Sequence, residues 1–121
     1  MQFKLPKDDQ KYLWTNHVKD KMLYYGISES LIKRITRFPK RRQFGIAPKT
    51  MAVMQPIANK KKPQEIWVMY QEVSGKPANM DAIATRPKKR IISAWRYPGI
   101  SPVGKAIPIP DEILQELENI I

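Results

Sequence analysis

The sequence predicts an α+β domain in which two N-terminal helices pack on one face of a four-stranded antiparallel sheet, followed by a Pro-rich extended segment and a short C-terminal helix. Three observations predict this class. Apolar residues recur at helical spacing before Pro39, they follow strand spacing between residues 42 and 97, and prolines then precede a last amphipathic segment. With 121 residues, we expect one domain over 1–121, with a core at 1–97 and the tail and terminal helix at 98–121.

Two helices are predicted before the strands. Over residues 10–25 one apolar stripe repeats at helical spacing, formed by Trp14, Val18, Met22 and Tyr25. Gly26 stands where a left-handed C-cap is expected, and Ser28 then begins a second helix as its N-cap. Pro39 ends that helix. Its buried side is predicted to hold Leu31, Ile35 and Phe38.

Four strands are predicted at residues 42–46, 50–57, 65–72 and 89–97. The third is almost continuously apolar, which is typical of a central strand covered on both faces. In the fourth, alternation predicts one face formed by Ile91, Ser93, Trp95 and Tyr97, and another formed by Ile92, Ala94 and Arg96. The terminal helix opens on Asp111 and Glu112, and its apolar side is predicted to hold Ile113, Leu114, Leu117, Ile120 and Ile121.

The charge is large, positive and unevenly distributed. Twenty-two Lys and Arg against 11 Asp and Glu give a net charge of +11. All 22 basic residues precede Pro110, whereas four acidic ones follow it: Asp111, Glu112, Glu116 and Glu118. Ten basic residues and no acidic residue lie between Glu29 and Glu65. A domain this basic attracts polyanions through counterion release, which favours a nucleic-acid partner over a merely solvated basic surface.

Composition also excludes several classes of chemistry. The chain has no cysteine, which removes disulfides, thiolate zinc sites and cysteine nucleophiles. One histidine and scattered acids predict no metal or other cofactor, and Asp8 and Asp9 are expected to be N-cap residues. No signal peptide and no apolar run of about 18 residues is seen, so we expect a soluble, cytoplasmic protein without a membrane partner.

Three groups of residues are candidates for a site. His17 can act as a general base beside Lys21, one helical turn away, or it can be a half-exposed structural histidine. A basic run forms either a phosphate track or a solvated face that compensates the helix dipole; its arginines are Arg34, Arg37, Arg41 and Arg42. In the last strand, aromatic faces for base stacking alternate with cations for phosphate, namely Arg90, Trp95, Arg96 and Tyr97, although Trp95 is also a candidate core residue.

Three stretches occur in an order that resembles the RelE/BrnT-like toxin superfamily, small ribonucleases of toxin–antitoxin systems. They are "HVKDKMLYYGISESLIKRI", "IWVMYQ" and "RIISAWR", and the resemblance covers about residues 13–97. It implies a microbial-ribonuclease-type sheet with a metal-independent RNA-cleaving site. His17 matches the opening histidine of the family, and Ser93 and Arg96 match its "SAR" strand, into which Trp95 is inserted. The implied partners are RNA, such as mRNA or ribosome-associated RNA, and an acidic antitoxin protein.

The leading hypothesis is therefore an RNA-binding endoribonuclease, with catalytic residues His17, Lys21, Ser93 and Arg96. Its RNA contacts would be Arg34, Arg37, Arg41, Arg42, Arg90, Trp95 and Tyr97. The alternative is a basic nucleic-acid-binding protein that uses the same face without cleaving. A third hypothesis is an interaction module whose Pro-rich tail docks on a partner. The acidic terminal helix can take the place of an antitoxin by lying on the domain's own surface.

Overall fold

The computed structural model describes residues 5–46, 49–57, 62–73, 88–104 and 106–120, the last three by backbone only. It confirms the α+β class. The described elements, in chain order, are β1 (Tyr12–Trp14), α1 (Asn16–Tyr25), α2 (Glu29–Arg37), β2 (Arg41–Phe44), β3 (Thr50–Ile57), β4 (Gln64–Val73), β5 (Lys88–Pro98) and α3 (Asp111–Ile120).

The described strands form one mixed sheet in the order β1-β5-β4-β3-β2. Strands β2 to β5 are antiparallel, as predicted, but β1 adds a fifth strand that runs parallel to β5. The prediction of one helix over residues 10–25 is therefore wrong at its start. Trp14 fits the predicted helical stripe, yet Tyr12 and Trp14 pair with Lys89 and Ile91 as a short strand. Tertiary pairing has overridden a local pattern here.

The turn before β1 also differs from expectation. Asp8 and Asp9 do not cap a helix: Asp8 accepts a hydrogen bond from the backbone N–H of Trp14, and Asp9 from those of Lys11 and Tyr12. They hold the chain in place at the start of β1. The N-cap of α1 is instead Thr15, whose hydroxyl accepts from the N–H of Val18.

The predicted helix ends are confirmed around the corner between α1 and α2. Gly26 follows α1 in the left-handed conformation, with φ of 66°, which glycine adopts without steric cost. The Ser28 hydroxyl caps α2 by accepting from the N–H of Leu31, and α2 ends before Pro39. The buried side of α2 consists of Ile32, Ile35 and Thr36, whereas Phe38, expected in the core, is 71% exposed.

Helices cover both faces of the sheet, so the expectation of helices on one face is wrong for α3. We call the two sides the α1/α2 face and the α3 face. The core of the α1/α2 face includes Trp14, Val18, Met22, Ile32, Ile35, Val53, Ile66, Val68, Ile91 and Ala94. That of the α3 face consists of Ala52, Met54, Trp67, Met69, Ile92, Trp95, Ile113 and Leu117. Both are dry apolar layers, and each large side chain buried there stabilises the fold by about 1.5–3 kcal/mol.

A β-bulge interrupts β5. Ser93 pairs with Met69 and Ile91 pairs with Tyr70, so Ile92 has no partner on β4. Ile91 therefore joins the core of the α1/α2 face, while Ile92 joins that of the α3 face. The predicted alternation is wrong at Ile91, which does not share a face with Ser93 and Trp95.

Candidate functional site

The start of α1 is fixed against β5 at the bulge. The Thr15 hydroxyl donates to the carbonyls of Ile91 and Ile92, at 3.1 and 2.9 Å. Strand β1 ends at this point, so α1 begins beside the edge of β5. His17, in the first turn of α1, is thereby brought level with Ser93.

Four side chains meet there, and we call them the histidine network: His17, Lys21, Ser93 and Glu116. The Nε2 of His17 lies 2.9 Å from the Ser93 Oγ, and its Nδ1 lies 2.8 Å from one carboxylate oxygen of Glu116. The other oxygen of that carboxylate accepts from the Lys21 Nζ at 3.0 Å. The structure thus brings together three of the four predicted catalytic residues. Glu116 was missed, because only its place in an acidic segment distinguished it.

Burial sets the protonation of this network. Desolvation lowers the pKa of His17, and the attraction of Glu116 only partly opposes it. The hydrogen bond from Lys21 lowers the pKa of Glu116. Near neutral pH, a neutral His17 therefore donates through Nδ1 to an ionised Glu116 and accepts the Ser93 hydroxyl at Nε2. Such a chain can move a proton, but Ser93 is fully buried in this conformation.

Arg96, the fourth predicted catalytic residue, lies elsewhere. Its Nε donates to the carbonyl of Tyr25 at 2.6 Å, its Nη2 to that of Gly26 at 3.1 Å, and its Nη1 to the Gln64 side chain at 3.3 Å. It therefore satisfies carbonyls at the C-terminal end of α1. His17 is at the other end of that helix, about 12 Å along its axis.

Three predicted RNA contacts are engaged within the α3 face. The Arg41 guanidinium donates to the carbonyl and hydroxyl of Ser101, at 3.0 and 2.7 Å, and lies over the ring of Trp67. Trp95 stacks on Trp67 with their centroids 6.2 Å apart, and it is fully buried, so neither of its faces is open to a base. Tyr97 is half-buried against the same core.

A second arrangement of cations lies on the α1/α2 face. The Nζ of Lys33 is 5.2 Å from the ring centre of Tyr12, and that of Lys89 is 5.6 Å from the ring centre of Tyr70. The Tyr70 hydroxyl accepts from Arg42 at 3.3 Å. Tyr12 and Lys89 are also direct partners across β1 and β5. We call Lys33, Lys89 and Arg42 the basic row, because these contacts join them continuously across the sheet.

The remaining predicted contacts flank this row or stand apart. Arg37 borders, with Lys33 and Tyr12, an open cleft of about 400 Å³ that Asp9 and Lys11 also line. Three predicted arginines are exposed and form no ion pair with another described residue: Arg34, Arg37 and Arg90. Lys33 belongs to the predicted basic run but was not named among its RNA contacts, and Lys89 was missed, because their pairing with tyrosines of distant strands has no local sequence signal.

Comparisons with protein-family models, with curated proteins and with solved structures give no match. The resemblance to RelE/BrnT-like toxins therefore stays a prediction. In the described ranges, no group of three or more His, Asp or Glu side chains is placed to hold a metal ion. Nor does any helix in those ranges have the length and apolar character needed to cross a membrane.

Burial of His17 predicts acid-sensitive stability. Its folded-state pKa lies below the unfolded value of 6.5, so the unfolded chain takes up a proton first as the pH falls. The free energy of unfolding should therefore decrease as the pH falls through 6.5, and Glu116 should add a further decrease below 4.5. Urea unfolding between about pH 8 and pH 5 tests this, with His17→Gln as the comparison. If the free energy of unfolding depends on pH in the same way for both proteins, the acid sensitivity does not come from His17.

Arg96 is expected to act on stability. Arg96→Met removes three hydrogen bonds and leaves two carbonyls of the α1 terminus without this donor, so it should cost about 1–3 kcal/mol in urea unfolding. The matched control is Arg90→Met, an exposed arginine of the same strand, for which we expect a loss within about 0.5 kcal/mol. Equal stability of the two variants would show that the contacts of Arg96 contribute nothing.

Proposed function

We propose that this protein binds single-stranded RNA through the basic row. The observation that carries the proposal is the continuous contact from Lys33 through Tyr12, Lys89 and Tyr70 to Arg42. The tyrosine rings are buried in the sheet, and the cations lie against them in fixed positions. Lys33 is 29% exposed and also pairs with Glu29 at 3.3 Å and with Asp9 at 3.9 Å, which fixes it further. Binding then costs less side-chain ordering than it would with free lysines.

An aromatic side chain stands beside the row. Phe44 follows Arg42 by two residues on β2 and therefore shares its face, and it is 85% exposed. Proteins that bind single-stranded nucleic acid use this combination, because bases stack on the exposed ring and phosphates pair with the cations. This favours unpaired RNA over a duplex.

The charge around the row supports the same partner. Arg34 and Arg37 of α2 extend the cationic surface, and the acidic helix α3 lies on the opposite face of the sheet. Glu72 is opposite Lys89 in the register of β4 and β5, and it forms no ion pair with a described residue. The cations here outnumber the nearby acids Asp9, Glu29 and Glu72, and a surface with such an excess of positive charge steers a negatively charged polymer toward it.

Neutralising the row tests the proposal. The triple variant Lys33→Gln, Arg42→Gln, Lys89→Gln should weaken binding of an unstructured RNA at least tenfold. The slope of log affinity against log salt should fall by about 2, since each single-strand phosphate contact contributes about 0.7. Fluorescence anisotropy at several salt concentrations measures both quantities.

The control removes the same charge elsewhere. Lys7, Lys40 and Lys62 are exposed and form no ion pair with a described residue. Their triple change to Gln should reduce affinity less than threefold, by loss of general charge alone. Equal losses in the two triple variants would contradict a specific role of the row.

A second candidate function, RNA cleavage, is supported by the histidine network. A neutral His17 can take the proton of a ribose 2′-hydroxyl while the 2′-oxygen bonds to phosphorus. The bond to the 5′-oxygen breaks, that oxygen receives a proton from Lys21 or water, and the products are a cyclic phosphate and a 5′-hydroxyl. Both ring nitrogens of His17 are engaged in this conformation, so at least one contact must be released first.

Cleavage is tested with labelled RNA incubated with the protein in EDTA, comparing the wild type with His17→Asn. We expect fragments with cyclic-phosphate ends from the wild type and at least a hundredfold slower cleavage by the variant, within the range of general acid–base catalysis. If the RNA is bound but stays intact, cleavage is contradicted and binding is the function that remains.

A further inference from the structure

We propose that the Glu116 carboxylate occupies a phosphate-binding site formed by His17 and Lys21, and that an RNA phosphate competes with it for this site. The inference rests on the proposed function only in naming RNA as the competitor. The histidine network is thereby assigned a phosphate ligand, and Glu116 of α3 is the group of this chain that fills the same site.

The geometry of the carboxylate is that of a bound anion. One oxygen accepts from His17 Nδ1 at 2.8 Å, and the other accepts from Lys21 Nζ at 3.0 Å. The two donors are four residues apart on α1 and therefore point from the same side of that helix. A phosphate presents the same kind of oxygen acceptors, with more charge, to such donors.

Exposure shows that Glu116 covers the two donors. The side chains of His17 and Lys21 are 6% and 12% exposed, whereas that of Glu116 is 44% exposed. Its carboxylate therefore stands between the donors and the solvent. Helix α3 itself is held by Ile113 and Leu117, which are fully buried in the α3 face. Withdrawal of one side chain, without release of the helix, is enough to open the site.

The surroundings explain why the occupant is acidic. After Pro110 the chain carries four acidic residues and no basic one, in a protein that is strongly basic elsewhere. Asp20 and Glu112 are the other acids whose charge acts on this region, and Lys21 also lies 5.7 Å from the ring centre of Tyr24. The Lys21 ammonium is only 12% exposed, so it favours an anionic partner at this place, and the His17 N–H donates to the same partner.

The test uses the single histidine of the chain as its probe, since it gives one set of imidazole resonances. The full-length protein is titrated with inorganic phosphate, and the His17 signals are followed by NMR against sodium chloride of equal ionic strength. In Glu116→Ala, phosphate should shift these signals saturably, with at least tenfold tighter binding than in the wild type. The control Glu112→Ala removes the same charge from the same helix and should behave as the wild type.

RNA competition is tested in the same proteins. Glu116→Ala should bind RNA about fivefold more tightly than the wild type, and adding Lys21→Gln should abolish that gain. In the variant without the basic row, the phosphate response of Glu116→Ala should persist even though RNA binding is lost. Failure of the proposed function and failure of this inference are therefore distinguishable.

Two results would overturn the inference: no response of Glu116→Ala beyond that to sodium chloride, or an equal response of Glu112→Ala. Amide exchange of α3 verifies that the helix remains docked. If Glu116→Ala does not fold, Glu116→Gln replaces it, since this change keeps the side-chain shape and removes the charge. A Gln variant that excludes phosphate as fully as the wild type would likewise overturn the inference.

Discussion

The bulge at Ile92 is the constraint on which the rest of the structure depends. It lets two consecutive isoleucines of β5 enter opposite cores, and it shifts the alternation of every residue that follows. Thr15 binds both carbonyls at this point, so the end of β1 and the start of α1 are fixed to the same irregularity. Under strict alternation, Ser93 would share the face of Ile91, whereas the bulge places it on the face of Met69, its partner on β4.

The two faces of the sheet differ in how their charged groups are engaged. On the α1/α2 face, Lys33 and Lys89 lie over buried tyrosines and are only partly covered. On the α3 face, the charged groups of Arg41 and Glu65 are satisfied within the molecule. Arg41 is bonded to Ser101, and the carboxylate of Glu65 accepts from the side chain of Trp67 and from Ser101. The same residue type is thus packed on one face and, in the proposed function, binds RNA on the other.

The sequence predicted those parts of the fold that depend on local chemistry. The glycine after α1, the serine before α2 and the proline after it fix helix ends by backbone geometry and capping, and all three ends are where they were expected. Strand β3 has the predicted bounds, and β4 and β5 differ only by one residue at each end. Strand β1 was missed because it has only three residues, and Trp14 also fits the stripe of the helix that follows.

The candidate site could be predicted only in part, for a physical reason. His17 and Lys21 share a helix face, which spacing reveals, and a strand match suggested Ser93. The contact between His17 and Glu116 joins residues that are 99 positions apart in the sequence. The bulge and the tail determine how the helices that carry them are arranged. The place of Arg96 was not predictable for the same reason, since the sequence does not show that a cation at this strand end satisfies carbonyls of a helix terminus.

The tail determines how strongly Glu116 holds its site. Glu65, only 2% exposed, fixes Ser101 against β4, and the prolines between Ser101 and Asp111 limit the path to α3. A tethered carboxylate competes as an intramolecular ligand, whose effective concentration depends on the length and stiffness of the tether. A free phosphate at low concentration has no such advantage over Glu116. In the proposed function, an RNA bound at the basic row is itself tethered, so its phosphates compete with Glu116 intramolecularly. Under that proposal, linkage selects a polymer over a small anion.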